Sequence, residues 1–176
     1  MTRSLGGTEL KRLHRDWRRR TDDRLALLLD GVQNPFNVGA IMRTAAAYSV
    51  EQMWLVGAPS PNDTKVNKTA LGSQRFITWT TCETTAEAIA SIRAAGYRLL
   101  GIELAESARP LHELDLHGDV CLALGHEDRG LSKELLADND GLGYIPQTGR
   151  IGSLNVGTAA AIACYEARRA GWSTER

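Results

Sequence analysis

Short runs of apolar residues alternate along the chain with segments of helical periodicity. From Leu25 to Asp30 the sequence LALLLD is almost wholly apolar, which is typical of a strand buried on both faces. A turn, GVQNPFN, follows, then the predicted helix VGAIMRTAAAYSV with Asn37 as its N-cap, and then a strand from Gln52 to Gly57. A strand, a helix and a strand within about thirty residues predict the βαβ unit of a parallel sheet.

The same alternation continues to the end of the chain. Thr84 or Thr85 is predicted to cap a helix AEAIASIRAA that stops at Gly96, and YRLLGIEL is the next predicted strand. Further strands are predicted at DVCLALG, from Asp119 to Gly125, and at GLGYIP, with the short helix SKELLA between them. The polar segment SPNDTKVNKTALGSQRF is predicted to be a loop with one helical turn. This order predicts an α/β fold with a parallel sheet.

The stretch from Ile145 to Arg169 is predicted to contain a strand end, a loop and a helix. It begins as a strand end, continues as a glycine-containing loop, and enters a helix whose predicted first turn is Ser153 to Val156. The entrance of a helix offers free N–H groups and the positive end of the helix dipole. Ser153 and Asn155 are therefore predicted to border a site for an anion or a polar ligand.

Length and charge limit the possible classes of protein. A chain of 176 residues predicts one main domain, which we place at residues 24–176 after a basic helical extension at residues 1–23. The 21 Lys and Arg residues balance the 21 Asp and Glu residues, so any nucleic acid must be held by local patches. The extension contains Arg15, Arg18 and Arg19, which either contact RNA phosphates or belong to a solvated helix docked by Leu13 and Trp17.

Cysteine usage and hydropathy indicate an intracellular setting. The three cysteines are an odd number without close spacing, so neither a disulfide framework nor a zinc site is predicted, and no metal is expected. The first twenty residues have no apolar core of a signal peptide, and no run approaches the roughly 18 apolar residues of a membrane span. We therefore expect a cytoplasmic protein without a membrane partner.

Ligands of open α/β sheets bind at the carboxyl ends of the strands, which directs attention to three loops. These are NPFNVGAIMR, GHEDRG and PQTGRIGSLN, and none contains the GxGxxG or GxxxxGK pattern of common nucleotide folds. Arg43 follows Gly39 by one helical turn, so its side chain is predicted to lie back over the glycine toward Asn37, unless it is an ordinary surface arginine. Glu127 either binds a ligand or is an exposed turn residue.

Together and in this order, NPFNVGAIMRTA, LGHEDRGL and IPQTGRIGSLNVGTAAAI resemble the three motifs of the SpoU (TrmH) family of RNA ribose 2′-O-methyltransferases in the SPOUT superfamily. The resemblance covers the chain from Leu25 to Arg169. It implies a parallel-sheet SPOUT fold with a deep C-terminal trefoil knot, S-adenosylmethionine bound within the knot, and an obligate homodimer. One departure from the pattern is Gly157-Thr158, which stands where many members have Ser-Val.

The resemblance also implies roles for individual residues. Arg43 corresponds to the arginine that acts in methyl transfer, either as the base or as a cation that stabilises the developing alkoxide, because guanidinium groups hold their proton strongly. The implied catalytic residues are Asn37, Arg43, Glu127, Ser153 and Asn155. The implied cofactor-binding residues are Ile102, Glu103, Gly125, Ile145, Ser153 and Leu154. The expected RNA-binding residues are Arg15, Arg18, Arg19 and Arg43.

The substrate implied by the resemblance is RNA. The segments TKVNKTALGSQRF and GIELAESARPLHEL are similar to members that act on tRNA, and a guanosine in the D-loop is the expected target. Two alternatives remain at this point: a methyltransferase for ribosomal RNA, and a knotted RNA-binding protein without transfer activity. A nucleotide-binding protein that uses the same crevice is a third.

Overall fold

The computed structural model describes residues 2–172. Within these residues a sheet of seven strands, all paired in parallel, has the order β3-β2-β1-β6-β4-β7-β5. The strands are β1 (Leu25–Asp30), β2 (Gln52–Val56), β3 (Thr78–Cys82), β4 (Arg98–Ile102), β5 (Arg109–Pro110), β6 (Val120–Gly125) and β7 (Gly141–Tyr144). The helices are α1 (Gly7–Arg18), α2 (Pro35–Ala47), α3 (Thr64–Ala70), α4 (Thr85–Ala94), α5 (Lys133–Ala137) and α6 (Val156–Trp172), with 3-10 turns at Ser73–Phe76 and Leu111–Glu113.

The sheet is covered by helices on both faces, as its apolar strands require. Every residue of β1 and β6 is buried, which confirms the α/β parallel sheet predicted from the continuous apolar runs. Leu27 and Leu29 join one apolar cluster with residues of α2, α3 and α6. Ala26 and Leu28 face the other way and join a second cluster with residues of α4 and α5, because successive side chains of a strand point to opposite faces.

Two elements were not predicted from the sequence: α3, which lies in the segment predicted to be a loop with one helical turn, and β3, which follows that segment. The helix α3 has Asp63 as its N-cap and buries only Val66 and Ala70, too few positions for a clear helical period. The strand β3, TWTTC, is at the edge of the sheet and mostly exposed, so its pattern lacks an apolar face. Both elements depend on contacts with the rest of the fold rather than on local pattern.

The predicted starts of two helices were wrong by a few residues, and one helix is shorter than predicted. The N-cap of α2 is Asn34, whose side chain accepts a hydrogen bond from Phe36 N–H, and not Asn37; the proline at the first helical position favours this start. The helix α6 begins at Val156, so Ser153 and Asn155 precede it. The helix α1 ends at Arg18 instead of Arg24.

A buried arginine joins three parts of the chain. The Arg168 guanidinium of α6 donates hydrogen bonds to the carbonyl oxygens of Tyr48 (2.8 Å), Asp23 (2.7 Å) and Ser49 (2.7 Å). These carbonyls lie at the end of α2 and just before β1, so the side chain satisfies acceptors that no helix or strand uses. Burial lowers the pKa of Arg168.

The three cysteines lie inside the fold. Cys82, Cys121 and Cys164 are buried and form no disulfide. Between residues 2 and 172, no helix is both long and apolar enough to pass through a membrane. No cluster of His, Cys, Asp or Glu within that range has the arrangement of a metal site.

Candidate active site

A cavity of about 570 Å³ opens at the carboxyl ends of β4, β6 and β7, which are neighbours in the sheet. The chain leaves each of these strands in a loop, and the three loops form the walls. The six residues predicted to bind the cofactor, Ile102, Glu103, Gly125, Ile145, Ser153 and Leu154, all line this cavity, as do Glu127 and Asn155. Tyr144, Gln147 and Arg129 also line it, and no sequence pattern had distinguished them.

Glu127 joins the loop after β6 to the loop after β1. Its Oε1 accepts hydrogen bonds from Asn34 N–H (3.0 Å) and from the Asn37 side-chain amide (2.9 Å), and its Oε2 accepts one from Gln33 N–H (3.2 Å). Burial alone would raise the pKa of Glu127, but the hydrogen bonds from Asn37 and the backbone outweigh burial and hold that pKa below its ordinary value. Glu127 is therefore a carboxylate at neutral pH.

Asn37 in turn joins these two loops to the loop after β7. The Asn155 Nδ2 donates a hydrogen bond of 2.9 Å to Asn37 Oδ1. The Oδ1 of Asn155 accepts from Gly157 N–H (2.9 Å) and Thr158 N–H (3.3 Å), so the same side chain caps α6. A continuous chain of hydrogen bonds thus links Glu127, Asn37 and Asn155, one residue from each of the three motifs.

The side chain of Glu103 holds the wall of the cavity together. Its carboxylate oxygens accept hydrogen bonds from Leu104 N–H and Leu131 N–H, both at 3.0 Å. A methyl group added at Gly130, which has φ +69°, would collide with this carboxylate, and one at Gly125 would collide with the Gly130 backbone. The sequence implied only backbone contacts near Glu103 and Gly125, but the structure shows that both residues shape the turn after β6.

The loop before α6 leaves polar backbone groups available. Gly152, Ser153 and Leu154 line the cavity. In the described part of the chain, no protein group accepts a hydrogen bond from their backbone N–H groups. Ser153 is exposed. Such unpaired donors beside a cavity are suited to acceptor atoms of a ligand.

Arg43 lies outside this cavity. Its side chain is exposed on α2 and makes no hydrogen bond or ion pair with any residue from 2 to 172. The space beside Gly39, which the sequence assigned to Arg43, belongs to α3, because a methyl group at Gly39 would collide with Thr69 and with the Val66 carbonyl. One chain therefore brings together all of the predicted polar residues except Arg43.

The arginines of the N-terminal extension are exposed, and α1 has no buried residue. Its contact with the domain is made by Trp17, whose ring centroid is 4.7 Å from that of Trp172, while the Arg20 guanidinium lies 3.9 Å above the Trp17 ring. Leu13 is 40% exposed and Trp17 is 37% exposed, so the apolar stripe predicted to dock α1 is only partly covered. Arg15, Arg18 and Arg19 are left in solvent.

Comparison with known proteins shows relatives along most of the chain. A tRNA (guanosine(18)-2′-O)-methyltransferase of Escherichia coli K12 is 34% identical over 145 residues, 82% of this chain and 63% of that protein. The enzyme of the same name from Thermus thermophilus is 34% identical over 90% of this chain and 81% of its own length. A 23S rRNA (guanosine-2′-O-)-methyltransferase of Acinetobacter baylyi is 35% identical over 84% of this chain and 60% of its own. The chain thus spans less than two thirds of two of these relatives.

Solved structures show the same relationship. The AdoMet-bound rRNA methyltransferase of Sinorhizobium meliloti superimposes with a TM-score of 0.75 at 34% identity, over 83% of this chain and 56% of that one. The sequence profile of the SpoU rRNA Methylase family matches residues 24–165, from just before β1 into α6. The chain therefore belongs to the SpoU rRNA methylase family.

Proposed function

We propose that this chain is an S-adenosylmethionine-dependent RNA ribose 2′-O-methyltransferase that acts on tRNA. The observation that carries the proposal is the hydrogen-bonded chain of Glu127, Asn37 and Asn155 at the edge of the 570 Å³ cavity. It gathers the polar residues of three distant motifs at one point, which a fold alone does not require. The names of the relatives support the reaction type.

The cavity fits the proposed cofactor in size and chemistry. Its volume of about 570 Å³ lies within the range of about 300 to 1,000 Å³ that is typical of ligand sites. Apolar side chains of Ile102, Ile145 and Leu154 suit an adenine ring, and the free N–H groups of the loop before α6 suit its acceptor atoms. The Glu127 carboxylate adds negative charge to the cavity wall, which would suit a positively charged sulfonium.

The chemistry requires an aligned ribose and an exit for one proton. When bound, S-adenosylmethionine would supply a methyl group on a positively charged sulfur; transfer to a ribose 2′-oxygen would form the O–CH3 bond, break the S–CH3 bond and release S-adenosylhomocysteine. The Asn37 side-chain amide is hydrogen-bonded to Glu127 on one side and to Asn155 on the other. Because its position is fixed, it can orient the ribose for the reaction. The hydroxyl proton leaves to Arg43, to water or to an RNA phosphate.

Arg43 acts, in this proposal, from the partner subunit of a homodimer. The side chain is exposed and unpaired within the described chain, so it is available to stabilise the developing alkoxide of a substrate bound to the partner subunit. The alternative, in which Arg43 is the base, requires burial against the partner or the RNA. Small exposed residues of α2, Ala40 and Ala47, would let a second copy approach this helix closely.

We also propose that the carboxyl-terminal part of the chain is knotted. The strand order supports this, because β4, which comes earlier in the chain, lies between β6 and β7. In this proposal the chain crosses β4 between β6 and β7, and the segment before α6 threads back through the loop it has formed. The loops that follow β4, β6 and β7, which the proposed knot would involve, line the cofactor cavity.

The proposed substrate is tRNA, with a guanosine of the D-loop as the target. The tRNA enzymes of Escherichia coli K12 and Thermus thermophilus support this choice, because each is 34% identical over more than four fifths of this chain. Mapping 2′-O-methylation in tRNA and rRNA from cells with and without the gene tests the assignment. Methyl groups that disappear only from rRNA would refute it. Cofactor binding in calorimetry without transfer to any RNA would indicate the non-catalytic alternative.

A further inference from the structure

A second cavity, of about 610 Å³, lies on the other side of Glu127. It shares His126, Glu127 and Asp128 with the first cavity, so the turn after β6 separates the two spaces. Its remaining walls come from the start of α2 and from one face of α3. The residues of those walls are Gln33, Asn34, Pro35, Phe36, Lys65 and Lys68.

Phe36 presents a fixed and half-exposed aromatic ring to this second cavity. The residue is 50% exposed, and its ring has no aromatic or cationic partner in the described part of the chain. Its backbone is held at both ends, since its N–H donates to Asn34 Oδ1 at 2.9 Å and its carbonyl accepts from the Thr69 hydroxyl at 3.2 Å. An exposed ring on a rigid backbone is suited to stacking on a nucleobase.

Two lysines supply positive charge at the same place. Lys65 and Lys68 are three positions apart on α3 and therefore lie on one face of that helix. Both are exposed, and neither side chain forms a hydrogen bond or an ion pair with residues 2–172. Val66 and Ala70 on the opposite face of α3 are buried. Their burial fixes the orientation of the helix, so the lysine face points toward solvent. Unpaired ammonium groups beside an aromatic ring match the phosphate and the base of one nucleotide.

We propose that this second cavity binds one nucleotide of the RNA substrate, with its base stacked on Phe36 and its phosphate held by Lys65 and Lys68. The ribose of that nucleotide then lies at the turn that carries Glu127, beside Asn37 and next to the first cavity. The inference deepens the proposed function and rests on it. Phe36 is thereby a positioning residue for the nucleotide that is methylated.

The chain offers a matched control for Phe36. Phe76 is 66% exposed and lines neither cavity, and the Arg75 guanidinium lies 4.8 Å from its ring centroid. The variants Phe36→Ala, Phe36→Tyr and Phe76→Ala are compared with the parent for methyl transfer to a mixture of tRNA transcripts made in vitro. Cofactor affinity is measured by calorimetry, and thermal unfolding shows that each variant is folded.

We expect Phe36→Ala to raise KM for the transcripts by about tenfold or more, the effect of removing one stacking surface for a base. Its cofactor affinity should stay within about twofold of the parent, because Phe36 does not line the first cavity. Phe36→Tyr should keep the parent KM, since it retains the ring, and so should Phe76→Ala. Equal KM values for Phe36→Ala and Phe76→Ala would overturn the inference.

A crosslinking experiment tests the nucleotide site even if no methyl transfer is detected. Benzophenone-alanine placed at position 36 or at position 76 is irradiated with the same tRNA transcripts. Crosslinking from position 36 but not from position 76 supports the nucleotide site, and in that case absence of transfer would count only against the proposed function. Bound tRNA that crosslinks from neither position, or only from position 76, overturns the inference, and a parent chain that binds no tRNA overturns both.

Discussion

The side-chain amide of Asn155 donates a hydrogen bond of 2.9 Å to Asn37 Oδ1, across 118 residues of sequence. The Asn37 Nδ2 is also occupied, by Glu127 Oε1 at 2.9 Å. Both ends of the Asn37 amide are therefore engaged, and rotating the group would set donor against donor and acceptor against acceptor. The position of this amide is fixed before any ligand arrives.

Asn37→Asp should disable the site while preserving the fold. The new carboxylate would face the Glu127 carboxylate at hydrogen-bonding distance. The repulsion would displace the side chain at position 37, which is proposed to orient the ribose. We expect methyl transfer to fall by about a hundredfold or more at neutral pH, with partial recovery at lower pH as one carboxylate is protonated. Asn62→Asp, an exposed asparagine away from both cavities, is the control. Equal loss in both variants would contradict this explanation.

Glu127 should make the stability of the protein depend on acidity. Its pKa is lower in the folded protein than its ordinary value, so its contribution is present above the ordinary pKa of a glutamate and is lost as pH falls through the folded value. At neutral pH we expect Glu127→Gln to lower the free energy of unfolding by about 1 kcal/mol or less, given solvent screening. Urea unfolding of parent and variant from pH 7 to pH 3 measures the difference, which should shrink in acid. A difference in the free energy of unfolding that stays constant with pH would contradict this role of the ionised Glu127.

Arg43→Ala should abolish methyl transfer and leave cofactor affinity nearly unchanged, because Arg43 lies outside the cofactor cavity. We expect a loss of at least about a hundredfold in turnover. Arg109→Ala, another exposed arginine, is the control. Equal turnover of Arg43→Ala and the parent would remove Arg43 from the mechanism.

Mixing two inactive variants tests whether Arg43 acts across a dimer. If the partner's Arg43 completes each site, a heterodimer of Arg43→Ala and Asn37→Asp chains has one site in which both defects are combined and one in which neither is present. We therefore expect activity to return on mixing. Activity that stays absent in a verified heterodimer would place Arg43 and Asn37 in the same subunit's site.

Three arginines at the end of α1 and directly after it should contribute to RNA affinity through their attraction to phosphates. We expect the triple change of Arg15, Arg18 and Arg19 to alanine, or deletion of residues 1–23, to weaken tRNA binding and to flatten its salt dependence. The slope should fall by up to about one unit for each phosphate interaction removed. The triple change to lysine keeps the charge and should keep the slope. An unchanged slope in the alanine variant would assign α1 to packing through Trp17 instead.

Arg168 should be a stability residue with no direct part in the reaction. Arg168→Met would leave the partly buried carbonyl oxygens that accept from Arg168, those of Tyr48, Ser49 and Asp23, without their donor, at a cost of about 2 to 4 kcal/mol in the free energy of unfolding. The neighbouring Arg169, whose guanidinium pairs with Glu166 at the surface, provides the control, and Arg169→Met should cost less than about 1 kcal/mol. Chemical denaturation of both variants measures the costs, and similar costs would contradict the role given to Arg168.

The sequence predicted the central strands of the sheet better than the edge strand and the short helix α3. Continuous apolar runs such as β1 and β6 are buried on both faces, so their pattern depends on little beyond the strands themselves. The threonine-rich edge strand β3 and the short helix α3 carry too few buried positions to show a period. The helix start at Pro35 was missed because two asparagines, Asn34 and Asn37, compete for the capping role.

For the site, motif order located the residues but not their contacts. That Glu127, Asn37 and Asn155 form one hydrogen-bonded chain depends on strand order, which local pattern does not encode. The carboxylate of Glu103, which supports the turn after β6, had no signature beyond its place after a strand. Phe36 had one available signal, an aromatic residue directly after Asn34-Pro35 at an exposed helix start.

Asn155 performs two tasks with two different atoms. Its oxygen caps a seventeen-residue helix, and its nitrogen holds the Asn37 amide, beside which we propose that the ribose binds. An aspartate at this position would retain the first capability and forfeit the second, so folding tolerates a change that the chemistry does not. Selection for stability alone would therefore allow either asparagine or aspartate at this position, whereas selection for methyl transfer would retain asparagine.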